Sequence, residues 1–357
     1  MKKRLLALIL AACIALTGCA SMLERDYVSV SPHSSTKTDA GSSSVLRVEN
    51  YQELVNSLIY FISTGSDSGM IRLYMDSGTV EEHLHSARQE ILKEYPPAVY
   101  AVEDISYESD PLVTYVETTV NFTYRRTQQQ MAAIQSVSGV SAVRTAVTEA
   151  LTHFSSECVL NIRYFDQDSE FIRSLIRQAY YAAPATAMEY PAIEINIYPD
   201  SGRQRIVEIL FQYETALSQL SQRTLLLEQA CQHLVQALPL DEVPSDKILA
   251  AARAILDAGG HDPSGGSSAY HALISGGADH EGLALAMAAL CAQLGISCRV
   301  ADGLLDGEPH FWNVVHTEAG WRHIDLSRLD ALQGLYTDDQ WLGSDYLWLE
   351  SSLPTCG

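Results

Sequence analysis

The chain has 357 residues, 47% of them hydrophobic and 19% charged, a mix that suits roughly two or three globular domains and excludes a wholly disordered or collagen-like chain. Its formal net charge of -21 argues against nucleic acid as a partner, because phosphate recognition needs clustered Lys and Arg.

The first 18 residues read as a secretion signal, with Lys2, Lys3 and Arg4 ahead of an apolar run of 12 residues, Leu5 to Leu16. That run is too short for a permanent bilayer-spanning helix. It ends in Leu16-Thr17-Gly18-Cys19, which resembles the bacterial lipobox, whose cysteine is diacylated and becomes the mature N-terminus. The resemblance implies lipidation at Cys19 and an exported protein anchored to the bacterial cell membrane, facing outward. The alternative is an ordinary signal peptide that happens to end near a cysteine. No later segment has 18 consecutive apolar residues. Residues 19–45 are rich in Ser and Thr without hydrophobic periodicity and read as a flexible tether.

Of the seven cysteines, Cys158, Cys231, Cys291, Cys298 and Cys356 belong to the region beyond the tether. Their number is odd, their spacings match no disulfide framework, and no CxxC pair suggests a zinc knuckle. Cys158 falls in an apolar strand pattern and Cys291 on an apolar helix face, so both are expected as core thiols.

From Val45 to about Tyr213 helix and strand signals alternate, predicting an α+β region. Asn50 can cap a helix running to Phe61, Met70 to Met75 reads as a strand, and a second helix runs to Glu94, ended by Pro96 and Pro97. Ala98 to Tyr107 and Leu112 to Arg125 read as an antiparallel pair turning near Asp110-Pro111. In the latter strand Val116, Thr118, Val120, Phe122 and Tyr124 share one face. A similar order returns about 90 residues on: helix Val140 to Phe154, strand Cys158 to Phe165, helix Asp168 to Ala183, and the hairpin Pro191 to Tyr198 with Gln204 to Tyr213. This predicts a tandem duplicated helix-strand-helix-strand-strand region, with repeats at 46–126 and 127–214 and a structural or binding role. A connecting helix and linker occupy 215–245, and a C-terminal domain 246–357.

That domain holds all four Trp residues. Leu283, Met287, Leu290, Cys291 and Leu294 are spaced for one buried helix face, and three strands follow, Ile296 to Gly303, Phe311 to Thr317 and Trp321 to Asp325, with a turn at Ala319-Gly320. Three blocks in this order resemble the transglutaminase-like fold of papain-type cysteine enzymes: Ala272-Leu273-Ile274-Ser275-Gly276-Gly277-Ala278-Asp279-His280-Glu281-Gly282-Leu283-Ala284; His310-Phe311-Trp312-Asn313-Val314-Val315; and Trp321-Arg322-His323-Ile324-Asp325. The segment Tyr336 to Cys356 also resembles the tail of secreted bacterial members.

The resemblance implies a catalytic Cys at the start of the helix, where the helix N-terminus lowers the thiol pKa and a neighbouring His takes the proton, oriented by an Asp. His310 and Asp325 fall at the His and Asp positions. The Cys position holds His280. Cys291 lies 11 residues further along the helix, about 16 Å away, and cannot replace it. Ser275 shows no sign of activation. Three roles for His280 stay open: it fills space beside His310; it joins His310, His323 and Asp325 in a zinc site; or it acts as a general base or nucleophile, kept neutral by the helix dipole. Trp312 either walls the cleft or packs in the core. Glu281 is expected as a structural carboxylate favoured by the dipole, Asn313 as a hydrogen-bonding strand residue, and Asp338 and Asp339 as a helix start. The leading expectation is a cofactor-free module that lacks thiol catalysis and binds envelope peptide or protein. The rivals are a metal- or His-dependent peptidase- or amidase-like hydrolase and a purely structural spacer.

Overall fold

The computed structural model describes residues 45–238, 243–328, 335–342, 345–349 and 352–357. The expected signal, Cys19 and nearly all of the tether lie outside the described residues. No described helix is long and apolar enough to cross a membrane.

The chain opens with β1 (Val45–Val48) and α1 (Tyr51–Ser63), where the Asn50 side chain accepts the Glu53 N–H at 3.0 Å as expected of a cap. Then follow β2 (Ser68–Leu73), α2 (Val80–Glu94), α3 (Pro96–Ala101), β3 (Val102–Pro111) and β4 (Val116–Tyr124). The sheet order is β1-β2-β4-β3, with β1 parallel to β2 and the other pairs antiparallel. Val116, Thr118, Val120 and Phe122 are buried, the face the alternation predicts. One expectation fails: Ala98 to Ala101 is helix rather than strand. Pro96 and Pro97 both end α2 and start α3, since proline's fixed φ and missing N–H suit the first helical turn.

Next come α4 (Gln128–Ala132), β5 (Gln135–Val137), α5 (Gly139–Thr152), β6 (Glu157–Ile162), α6 (Ser169–Ala182), β7 (Ala192–Tyr198) and β8 (Arg205–Gln212). Their sheet order is β5-β6-β8-β7, with β5 parallel to β6. Both sheets thus share one strand order, and each begins with a short parallel strand absent from the expected five-element unit.

The remaining elements are α7 (Leu217–Ala237), α8 (Pro244–Ala258), β9 (His261–Gly266), a π-helical turn at His271–Ser275, α9 (His280–Gln293), β10 (Cys298–Leu305), β11 (Glu308–Thr317), β12 (Gly320–Ile324), α10 (Asp338–Leu342) and β13 (Tyr346–Leu347). The last sheet has the order β12-β11-β10-β13.

The chain divides into two compact units. The first runs to Val140 and includes 159–169 and 195–209. Its apolar core joins Leu54, Leu58 and Ile62 of α1 to Ile71, Leu73, Leu84 and Ile91. It also buries Glu208, which accepts from Arg126 Nη2 at 2.6 Å, the Tyr198 hydroxyl at 3.1 Å and Asn196 Nδ2 at 3.3 Å.

The second unit comprises 141–158, 170–194 and 210–357, and α9 is its centre. Every residue from Gly282 to Cys291 is buried, against the single buried face expected from the spacing. A helix apolar all round needs cover on all sides, and β10, β11, α7 and α8 pack against it. The Asp279 side chain accepts the Gly282 N–H at 2.8 Å and caps its start. A Cβ at Gly282 would stand 2.7 Å from the Gly266 carbonyl, so glycine lets β9 approach the first turn.

Candidate functional site

His280 is the first residue of α9, His310 lies on β11, and Asp325 directly follows β12. Antiparallel pairing of Asn313 with Ile324 brings the last two together. The His310 Nε2–H donates to Asp325 Oδ2 at 2.8 Å. The same oxygen accepts the Tyr346 hydroxyl at 2.5 Å, and Oδ1 accepts the Ser327 N–H at 2.8 Å and its hydroxyl at 2.7 Å. Burial alone would raise the Asp325 pKa; the hydrogen bonds from His310, Tyr346 and Ser327 outweigh it and hold the carboxyl below its usual range. The result is a buried carboxylate, 1% exposed, that fixes the His310 tautomer. A neutral His310 then carries its lone pair on Nδ1.

The His280 ring lies 4.6 Å from that of His310, centroid to centroid. Its pKa is lowered by burial first and by His310 second, so at neutral pH it is an uncharged imidazole. Its Nδ1 is buried without a hydrogen-bond partner. Phe311 stacks on the ring at 5.7 Å with planes 17° apart. Behind Phe311 stands Tyr181 of α6 at 5.2 Å, whose hydroxyl donates to Glu281 Oε1 at 2.9 Å. Beside them Arg177 pairs with Asp302 at 2.6 Å. Burial pushes the Glu281 carboxyl up to about 7, overriding the stabilisation expected from the helix dipole.

Trp312 is 1% exposed and backs His310 from within an aromatic cluster with Trp341, Tyr346 and Trp348. Of the two places expected for Trp312, its burial fits the core. Its indole N–H donates to His323 Nδ1 at 3.1 Å, and His323 Nε2 meets Asp338 Oδ1 at 2.7 Å. Both nitrogens of His323 are thus engaged away from His280.

The expected zinc set of His280, His310, His323 and Asp325 does not converge. His310 gives Nε2 to Asp325, whose oxygens are already shared with Tyr346 and Ser327, and His323 is turned elsewhere. Among the described residues, a different trio, His323, Asp338 and Cys356, places ligand-type atoms within 4.8 Å of one another. Its hydrogen bonds oppose a metal. An indole N–H only donates, so His323 Nδ1 holds a lone pair and Nε2 holds the proton directed at Asp338. The trio instead fastens the chain: Asp338 Oδ2 accepts the Cys356 N–H at 2.9 Å, and the Asp338 N–H donates to the Cys356 carbonyl at 2.7 Å.

Cys158, Cys231, Cys291 and Cys356 are buried, and Cys298 is partly exposed. Burial pushes Cys158 and Cys356 up to about 12 and Cys231 to about 11. None of the hydrogen bonds found for His280, His310 or Asp325 involves sulfur. Ser275 is exposed on the π-helical turn. Ser327 Oγ lies 3.4 Å from His310 Nε2, yet that nitrogen carries a proton and cannot serve Ser327 as a base. Asn313 donates from Nδ2 to the Ala284 carbonyl at 2.9 Å, tying β11 to α9 as a strand residue with a hydrogen-bonding role. Tyr346, Ser327 and Tyr181 at this site carried no expectation of their own, and Asp338 was expected only as a helix start; Ser327 stands two residues beyond Asp325.

Residues 233–326 match the family model described as Transglutaminase-like superfamily, so the C-terminal region carries a transglutaminase-like domain. A solved structure named as a TGase is similar at 15% identity and a TM-score of 0.27, covering 49% of this chain and 52% of the other. A structure named as a putative protease from Parabacteroides distasonis shows 7% identity and a TM-score of 0.21, covering 73% of this chain and 44% of the other. The chain thus spans about half the length of these structures. No curated protein sequence matches.

Proposed function

We propose that the protein is a cell-surface lipoprotein whose transglutaminase-like domain has lost thiol chemistry and serves as a binding module for envelope peptide or protein. The observation that carries this reading is His280 at the start of α9, in ring contact with a His310 that Asp325 still orients. The position where the family places its nucleophile holds a base, and the helper residues remain. An imidazole there can accept or donate a hydrogen bond to a peptide amide but cannot form a thioester. The Cys19 lipobox supplies the membrane anchor in this reading, and the negative net charge turns the module away from nucleic acid.

The test incubates the purified chain with peptide and amine substrates, with and without iodoacetamide. The expected result is no turnover sensitive to iodoacetamide, and peptide binding that weakens in His280→Ala. Iodoacetamide-sensitive turnover overturns the reading. For the anchor, palmitate labelling in a bacterial host is expected and is lost in Cys19→Ala.

A His-based hydrolase is the second reading, favoured by the neutral His280 with its unpartnered Nδ1. It requires peptide or amide hydrolysis that resists iodoacetamide and EDTA and disappears in both His280→Ala and His310→Ala.

A further inference from the structure

We propose that α6 is a releasable strap on the candidate site, fastened to it by Tyr181 and Arg177 and loosened when Glu281 gives up its proton. Residues 170–194, which include both fasteners, belong to the same compact unit as α9. Arg177 and Tyr181 stand four residues apart on α6 and so project from one face of it. Four contacts join them to the site. The Tyr181 hydroxyl donates to Glu281 Oε1 at 2.9 Å, and the Tyr181 ring backs Phe311 at 5.2 Å. Arg177 pairs with Asp302 at 2.6 Å, and its guanidinium lies 5.9 Å from the centre of the Phe311 ring. Phe311 itself stacks on His280. The strap therefore holds Phe311 against the imidazole at the start of α9.

The two polar fasteners are unequal. The side chains of Arg177 and Asp302 keep 50% and 35% of their surface in solvent, so water screens that pair and its hold is weak. Tyr181 and Glu281 are more enclosed, and burial is the first cause that raises the pKa of each. The groups facing Glu281 are Arg177, Tyr180 and Tyr181 of α6, Tyr190 beyond it, Asp302 of β10 and the capping Asp279. The adjacent His280 is uncharged at neutral pH. An ionised Glu281 thus meets two like charges and one cation that Asp302 already engages. Moving into water relieves it, so ionisation favours the released form. The sign follows: the strap is firmest below about pH 4.5, the usual carboxyl value, and weakens as pH rises through about 7.

This regulates the peptide-binding site proposed above and rests on that reading for its purpose. The experiment needs no peptide. The full chain receives a brief pulse of diethyl pyrocarbonate, an imidazole reagent, at pH 6 to pH 8, and peptide mass spectrometry reads each histidine. The labelling rate of His280 in the wild type is divided by its rate in Glu281→Gln at the same pH, which cancels the protonation of His280 itself. This ratio is expected to rise about tenfold from pH 6 to pH 8, the change in the opening equilibrium for a carboxyl at about 7 when strapped and about 4.5 when released. Tyr181→Phe, which lacks the donor, should label His280 faster than the wild type at pH 6. A flat ratio overturns the proposal, as does Tyr181→Phe labelling no faster than the wild type. If Glu281→Gln does not fold, the exposed His153 of the same wild-type sample is the reference. The His280-to-His153 ratio should then rise with pH, and a constant or falling ratio overturns the strap. Failure here leaves peptide binding to the His280→Ala comparison, and failure of peptide binding leaves the measured opening intact, so the two outcomes stay distinct.

Discussion

His280 and His310 face each other with ring centroids 4.6 Å apart and planes inclined by 51°. Two imidazoles therefore stand side by side, one at the capped start of α9 and the other held by Asp325. The pairing predicts that His280→Cys installs an activated sulfur, because the capped start of α9 and the Asp325-oriented imidazole both favour a thiolate. Iodoacetamide at neutral pH should label the introduced thiol at least about tenfold faster than any native cysteine, since its pKa should fall at least about one unit below the usual 8.5 or so. Peptide mass spectrometry reads the rates, and adding His310→Ala should remove the advantage.

Asp325 holds four donors. Asp325→Ala leaves the His310 N–H and the Tyr346 hydroxyl without their acceptor, and should cost about 3–5 kcal/mol in denaturant unfolding. Asp325→Asn should cost less, since one side-chain oxygen still accepts. The folded pKa of Asp325 is depressed, so its contribution is fully present above the unfolded value of about 3.9. It is lost as pH falls from there through the folded pKa.

Glu281 behaves in the opposite sense. Its folded pKa of about 7 exceeds the usual value near 4.5, so the folded chain binds the extra proton between them. The carboxyl thus adds stability below about pH 4.5 that is lost as pH rises through about 7. Glu281→Gln cannot ionise, and relative to wild type it should gain up to about 3 kcal/mol between pH 4.5 and pH 8. Thermal melts of both proteins across this range check the sign.

Trp312→Phe removes the N–H that fixes His323 Nδ1 as an acceptor. The expected cost is about 1–3 kcal/mol for the buried acceptor left unpaired. The same change frees His323 to move its proton to Nδ1 and expose a lone pair toward Asp338 and Cys356. Zinc titration should find no site in the wild type and a measurable one in the variant.

Much of this was legible in the sequence. The Asn50 cap, the alternation through Val116, Thr118, Val120 and Phe122, and the strands carrying His310 and preceding Asp325 follow from short-range rules. β1 and β5 did not, because strands of four and three residues carry too little pattern to register. The expected zinc set needs His323 and Asp325 on one strand face, but β12 ends at Ile324 and the two-residue period stops there. Tyr346 and Tyr181 reach the site from 21 and 100 residues away in sequence, and no local signal links a hydroxyl to a carboxylate over such distances.

The burial of α9 from Gly282 to Cys291 leaves only its two ends outside the packed run, His280 and Glu281 at one and the exposed Ala292 and Gln293 at the other. A replacement at position 280 would therefore be felt first by the rings of His310 and Phe311 and only through them by the packed body of the helix.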